Sequence, residues 1–133
     1  MIGVALARKI VIAVTGPWVV CAYAAGAPVS YFEAEAAWNQ SRTKPLYQAY
    51  AAEFAEFNNY HHLDEKDGCY ALSPESVILF LVIAHSPGRE FALVERVLSS
   101  VNSPKANCFK RTYEGLPIKV PPFLPFVLQM GMG

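Results

Sequence analysis

The feature that most constrains the fold of this chain is the stretch of residues 76–84, which is apolar at every position after Ser76. The stretch is rich in β-branched and aromatic residues, and turn-forming residues bound it at Ser73-Pro74 and at Ser86-Pro87-Gly88. An apolar run of this length between turn signals is typical of a strand that is buried on both faces. We therefore predict a buried strand in this stretch.

Two further strands are predicted downstream. Pro87-Gly88 is a turn dipeptide, after which residues 89–99 alternate loosely enough to return as an antiparallel strand, with a helix over residues 93–98 as the alternative. Residues 116–125 contain several prolines, which lack a backbone N–H and cannot take part in a central ladder. A last strand follows at about residues 126–130, so the sheet should be small and antiparallel, with about three strands.

Two helices are predicted in the first half of the chain. Ser30-Tyr31-Phe32-Glu33 is a capping box, which predicts a helix over about residues 31–40. Pro45 suits a first helical turn and predicts a second helix over about residues 45–60. Apolar and aromatic residues recur in the second helix at spacings of three and four, so we expect this stripe to face the core. The stripe consists of Leu46, Tyr50, Phe54 and Phe57, extended by His61.

A third helix should begin at Pro104, where Ser103 can cap it, and end at about Tyr113, before Gly115. Together these elements indicate an α+β fold, in which N-terminal helices within residues 29–62 and the third helix pack on the antiparallel sheet. The chain is long enough for one domain with one core.

The N-terminus has the order of residues that is typical of a secretory signal peptide. The basic pair Arg8-Lys9 precedes an apolar run that is shorter than the roughly 20 residues needed for a membrane-spanning helix. Small side chains close the run and favour cleavage after Ala24, which would remove residues 1–24. We expect residues 25–133 to form the mature domain in the periplasm of a Gram-negative bacterium or outside the cell. An uncleaved membrane anchor is the alternative.

The cysteines suggest a disulfide. Cys21 would leave with the signal segment unless it were lipidated. The remaining pair, Cys69 and Cys108, is not a C-x-x-C redox motif, and two thiolates do not make a zinc site. In an oxidising compartment we predict a bond between them. It would close a loop of about 40 residues, worth roughly 3.9 kcal/mol by the chain-entropy argument.

Composition and motifs offer few candidates for chemistry. Basic and acidic residues number 11 each, so there is no basic excess for binding nucleic acid. No serine lies in a Gly-x-Ser-x-Gly pattern, and we predict no catalytic residue and no cofactor. A metal site is the alternative, although adjacent histidines at a helix end point in different directions. Its ligands would come from His61, His62, Asp64 and His85.

Four short motifs follow one another along the second half of the chain. Cys69-Tyr70 precedes the buried strand, Pro87-Gly88 forms the turn, and Asn107-Cys108-Phe109 lies in the third helix. Pro121-Pro122-Phe123 then leads into the last strand. In this order they resemble the C-terminal domain of the TonB family and its AgmX-like relatives, over about residues 67–132. The resemblance implies a small periplasmic domain whose helices pack on an antiparallel sheet and whose exposed strand edges engage partner peptides.

We therefore expect a binding protein rather than an enzyme. Residues 28–67 are short and helical, where a TonB energy transducer has a membrane anchor and a long proline-rich spacer. By the resemblance, the last strand would bind an extended segment of another periplasmic or outer-membrane protein by β-augmentation. The residues of that edge are Phe126, Val127, Leu128, Gln129 and Met130. A small secreted enzyme or metal carrier that uses the histidines is the alternative.

Overall fold

The computed structural model describes residues 27–133, so the predicted signal segment and Cys21 lie outside the described residues. Three helices and four strands follow one another, with two short 3-10 turns, Leu63–Glu65 and Cys69–Leu72, before the first strand. The predicted α+β fold is confirmed. The elements are α1 (Tyr31–Ser41), α2 (Pro45–His61), β1 (Val77–Ala84), β2 (Ala92–Ser99), α3 (Pro104–Tyr113), β3 (Pro117–Ile118) and β4 (Phe126–Met132).

The strands form one antiparallel sheet in the order β3-β2-β1-β4. Strand β1 lies inside the sheet, as its sequence predicts, and six of its side chains are buried. Val77, Leu79, Leu81 and Ile83 face one side, and Phe80 and Val82 face the other. An apolar residue at nearly every position is required because helices cover both faces of this strand.

Helix α1 covers one face of the sheet, and α2 and α3 cover the other. On the α1 side, the rings of Tyr31 and Trp38 lie 5.0 Å and 5.8 Å from the Phe80 ring. On the opposite side, the rings of Tyr47 and Tyr50 lie 5.0 Å and 4.7 Å from the ring of Phe126. Aromatic side chains on both faces therefore link the N-terminal helices to the sheet.

The predicted strand over residues 89–99 is confirmed for Ala92–Ser99, which form β2, and the alternative helix over residues 93–98 is not formed. A register shift opposite Val82 and Ile83 leaves Glu95 unmatched, because Val82 pairs with Arg96 and Ile83 with Val94. This bulge explains why the alternation of the sequence is loose.

The sheet has one strand more than the three we predicted. Strand β3 contains only Pro117 and Ile118, which pair with Leu93 and Ala92 at the sheet edge. A proline is tolerated there because its missing N–H leaves no central ladder incomplete. Because β3 is only two residues long, the proline-rich stretch contains no pattern that predicts a strand.

The predicted helix caps of α1 and α3 are present. The Glu33 N–H donates to Ser30 Oγ at 3.2 Å, and the Glu33 carboxylate accepts from the Val29 N–H at 2.9 Å. The Ala106 N–H donates to Ser103 Oγ at 3.2 Å. These local bonds satisfy backbone donors that a helix start leaves without partners.

The predicted core stripe of α2 is only partly correct. Tyr50 and Phe54 are buried, but Leu46 is 64% exposed, Phe57 is 39% exposed and His61 is also exposed. The helix is turned so that Tyr47 and Asn58 are buried in their place. Both polar groups have a distant hydrogen-bond partner: Tyr47 contacts the β4 backbone, and Asn58 contacts Tyr113 of α3. These hydrogen bonds offset the cost of removing the two polar groups from water.

The predicted disulfide is confirmed. Cys69 and Cys108 are joined with a Cα–Cα distance of 5.5 Å, and both residues are buried. The bond connects the turn before β1 to helix α3, so it ties the connection between the N-terminal helices and the sheet to the core. Within residues 27–133, every helix is too short or too polar to cross a membrane.

Candidate functional site: the β4 edge and its groove

Strand β4 lies at one edge of the sheet, and the register shows which of its backbone groups point outward. The Ser100 N–H donates to the Ile78 carbonyl, so the backbone of Ile78 points toward β2. Because direction alternates along an antiparallel strand, Leu79 and Leu81 of β1 point toward β4. Leu79 pairs with Met130 and Leu81 pairs with Leu128, so the backbones of these two β4 residues point toward β1. The β4 residues that alternate with them point away from the sheet. The outward backbone groups are those of Val127, Gln129 and Gly131.

One side chain closes the first part of this edge. The Tyr47 hydroxyl donates to the Val127 carbonyl at 2.9 Å. Burial raises the pKa of Tyr47 to about 12, although hydrogen bonds with Trp38 and the Gln129 backbone act in the opposite direction. The phenol thus occupies the position from which a partner strand would donate to the Val127 carbonyl.

The rest of the edge lies at the bottom of a groove of about 300 Å³ between α2 and β4. The outward Gln129 carbonyl and both backbone groups of Gly131 have no hydrogen-bond partner among residues 27–133. On the α2 side, Ala51 and Ala55 line the groove, and their short side chains leave space beside the strand. A second strand needs this combination of unpaired backbone groups and free space.

The groove has an acidic end. The Tyr70 hydroxyl donates to Asp64 Oδ2 at 3.0 Å and contacts Met132 Sδ at 3.3 Å. Burial, the Asp64 hydrogen bond and the charges of Asp64 and Glu65 together raise the pKa of Tyr70 to about 12, with burial the largest cause. Asp64 is the single charged residue among those that line the groove.

The opposite edge of the sheet is less accessible over most of β2. Strand β3 pairs with its first two residues, and the Val94 N–H and carbonyl bond the backbones of Leu116 and Gly115. The Val97 N–H donates to the Glu114 carboxylate at 3.2 Å. A carboxylate therefore occupies this edge, as a phenol occupies part of the β4 edge.

The five residues predicted for the binding edge do not share one environment. Phe126, Val127 and Leu128 are at most 2% exposed, whereas Gln129 is exposed and Met130 is half-buried. The first three side chains belong to the core, so any contact with a partner there would use the backbone. Gly131, which follows the predicted strand end, contributes open backbone groups.

The α2 wall of the groove was not predicted from the sequence. Ala51 and Ala55 are four residues apart and share one helix face, but nothing local distinguishes them from other surface alanines. Tyr47 was also missed, because its role depends on a carbonyl that is 80 positions away in the chain.

The three histidines of the alternative metal site have separate partners. His61 packs against Phe57 and Tyr60, with ring centroids 4.6 Å and 5.0 Å away. His62 Nδ1 is 3.6 Å from a Glu65 carboxylate oxygen, and both side chains are largely exposed. His85 Nε2 lies 2.8 Å from the Arg89 carbonyl.

The topology also separates His85 from Asp64. Asp64 contacts Tyr70, which contacts Met132, and Met132 pairs with Val77 at the start of β1. His85 follows the end of this strand, at a distance of roughly 25 Å for eight residues. Within the part of the chain that the structure describes, no three His, Cys, Asp or Glu side chains are arranged to hold a metal ion.

A larger concavity of about 610 Å³ lies on the other side of α2. Tyr50, Phe57 and Tyr60 give it an aromatic surface, and Glu53 pairs with Lys119 at 2.6 Å beside them. The Tyr50 hydroxyl donates to the Lys119 carbonyl. The side chains of Glu53, Lys119 and Tyr50 therefore already have partners within the domain.

Fold and site together define a small α+β domain with a partly open sheet edge beside a helix. Comparison with known proteins found no relative: no family model, no curated protein and no solved structure matches the chain. Its function must therefore be inferred from the geometry of the groove.

Proposed function

We propose that this protein is a non-enzymatic binding module of the TonB C-terminal-domain-like kind, which binds an extended segment of another protein at the open part of the β4 edge. The observation that carries the proposal is the unpaired Gln129 carbonyl and Gly131 N–H at the bottom of a groove. A partner strand would add to the sheet beside β4 and lie against the Ala51 and Ala55 side of α2.

An extracytoplasmic location fits this proposal. The Cys69–Cys108 disulfide is compatible with an oxidising compartment. The order of residues at the N-terminus supports a cleaved signal peptide and export to the periplasm, or secretion. The partner would then be a periplasmic or outer-membrane protein that exposes an extended segment.

Backbone bonds alone would make this binding weak. Three open groups are available, namely the Gln129 carbonyl and the N–H and carbonyl of Gly131, and each bond contributes about 0.5–1.5 kcal/mol net. Their sum corresponds to a Kd on the order of 1 mM or weaker. Tighter binding requires side-chain contacts in the groove, so the sequence of the partner must matter.

Nuclear magnetic resonance titration tests the proposal directly. The probe is an acetylated and amidated hexapeptide of alternating valine and threonine, which has a high strand propensity and no charge. We expect it to shift the amide resonances of Gln129 and Gly131 in the ¹⁵N-labelled protein. Shifts confined to the aromatic surface that contains Phe57 and Tyr60 would contradict the proposal.

Two substitutions make the test specific. Gly131→Pro removes an outward N–H that the β1 ladder does not use, and should weaken peptide binding about tenfold or more. Gly131→Ala keeps the N–H, and its added methyl group meets no atom within 4 Å, so it should bind far better than the proline variant. Equal binding by the two variants would show that the β4 edge is not the site.

A matched pair on α2 tests the groove wall. Ala55→Trp places a large side chain in the groove and should abolish binding of the same peptide. Ala52→Trp adds the same side chain at an exposed position outside the groove lining, so it controls for any effect on the helix. The thermal midpoint of each variant shows whether the fold is intact.

A further inference from the structure

We infer that the partner segment carries a lysine or arginine side chain, which binds the Asp64 carboxylate at the Met132 end of the groove. The inference rests on the proposed function, because it specifies the chemistry of the segment that would add to β4. It follows from the charge of the groove and from the direction in which α2 crosses the edge.

Asp64 has an unused acceptor at the end of the groove. The Tyr70 hydroxyl donates to Oδ2 at 3.0 Å, and within residues 27–133 no donor bonds Oδ1. The residues that line the groove include this carboxylate but no lysine, arginine or histidine. A cationic side chain on the partner would therefore meet an opposite charge, and the groove lining itself adds no competing cation.

Helix α2 runs along the edge in the direction that leads to Asp64. Near the start of the helix, Tyr47 contacts Val127 at the beginning of β4. Beyond its end, Asp64 is connected through Tyr70 to Met132 at the end of β4. A strand that lies between α2 and β4 would thus have one end at the Tyr47 phenol and the other at Asp64.

The spacing of the helix wall matches that of a strand. Ala51, Ala55 and Asn59 line the groove and recur every fourth residue, which is about 6 Å along a helix. Alternate side chains of an extended segment recur about every 6.8 Å. Side chains on the α2 side of the partner would therefore meet these three residues in turn, and a long side chain beyond them would reach Asp64.

Four related peptides test the inference. Each is the valine and threonine hexapeptide with one substitution, lysine or glutamate at the first or at the last position, and blocked ends leave the side chain as the only charge. Both ends are varied because the strand can add in either direction. We compare lysine with glutamate at the same position. At the position that lies beside Asp64, we expect the lysine peptide to bind about two- to fivefold more tightly than the glutamate peptide. The difference should shrink between about 20 mM and 500 mM salt.

Two charge-neutralising substitutions identify the responsible carboxylate. Asp64→Asn still accepts a hydrogen bond from Tyr70 but has no charge, and should remove the preference for lysine. Glu65→Gln neutralises the exposed neighbour, which does not line the groove, and should retain the preference.

The outcomes separate this inference from the proposed function. If lysine and glutamate peptides bind equally, or if the preference persists in Asp64→Asn, the inference is overturned while the shift of the Gly131 amide still supports strand addition. If none of the peptides shifts the Gly131 amide, the proposed function fails and the inference fails with it.

Discussion

The buried hydrogen bond between Tyr113 and Asn58 allows a stringent test of how α2 is held in place. The Tyr113 hydroxyl donates to Asn58 Oδ1 at 2.6 Å, and the two residues are 0% and 6% exposed. Tyr113→Phe removes the donor and leaves a buried amide oxygen without a partner, which should cost about 1–3 kcal/mol. Asn58→Leu leaves the Tyr113 hydroxyl unpaired and should cost a similar amount, about 1–3 kcal/mol.

The double variant distinguishes a hydrogen bond from simple loss of packing. When both polar partners are replaced by apolar groups, no buried group remains unsatisfied, so the double variant should lose about 1–2 kcal/mol less than the sum of the single losses. Urea unfolding of the four proteins, with a common m-value, measures the coupling. In a domain of this size, a loss of 1 kcal/mol lowers the thermal midpoint by roughly 4 °C. Single losses that add within about 0.5 kcal/mol would refute the reasoning.

Three further predictions concern stability. Cys69→Ala and Cys108→Ala should each lower the free energy of unfolding by about 2–5 kcal/mol. The double variant should lose no more than either single variant, because the same bond is lost in all three, and additive losses in urea unfolding would contradict this. Lys105→Met should lower the free energy of unfolding by about 2–3 kcal/mol, because Lys105 is 2% exposed and its ammonium donates to two backbone carbonyls before β1. A loss below about 1 kcal/mol would be too small for two buried carbonyls left without a donor. Burial raises the pKa of several tyrosines above their unfolded value of about 10, so their contribution to stability is complete below about pH 10 and is lost as the pH rises through about 12. Urea midpoints should fall over this range, and unchanged midpoints would contradict the burial. The tyrosines with a pKa of about 12 are Tyr47, Tyr50 and Tyr70.

At each edge of the sheet formed by residues 27–133, one side chain occupies part of the strand edge. The Tyr47 phenol bonds Val127 on one edge, and the Glu114 carboxylate bonds Val97 on the other. Both side chains use hydrogen bonds that a foreign strand would otherwise make. The open remainder at Gln129 and Gly131 is short and lies in a groove, so a partner must be extended and narrow to reach it.

Much of the fold could be predicted from sequence because the relevant signals are local. The capping serines act within three residues, as the bonds of Ser30 and Ser103 show. The apolar stretch that became β1 is flanked by its own turn signals. With Cys21 assigned to the predicted signal segment, Cys69 and Cys108 leave one possible pairing, and the structure joins them.

Other features were settled by contacts between distant parts of the chain. The face that α2 buries was predicted from hydrophobicity, yet Tyr47 and Asn58 replaced Leu46 and Phe57 in the core. Polar groups can be buried when they form hydrogen bonds, and here the partner of Tyr47 lies on β4 and the partner of Asn58 lies on α3. Periodicity within one helix contains no information about such partners.

The sequence alone therefore determined where the three helices and three of the four strands of residues 27–133 lie and how two of the helices begin, because neighbouring residues control these features. The pairing of Cys69 with Cys108 followed once Cys21 was assigned to the predicted signal segment. Only the tertiary structure decided which backbone groups of β4 remain open. That outcome depends on the register between β4 and β1 and on one hydroxyl, that of Tyr47, which reaches Val127 across 80 positions of chain. A shift of one residue in register would turn Gln129 and Gly131 inward and remove the site.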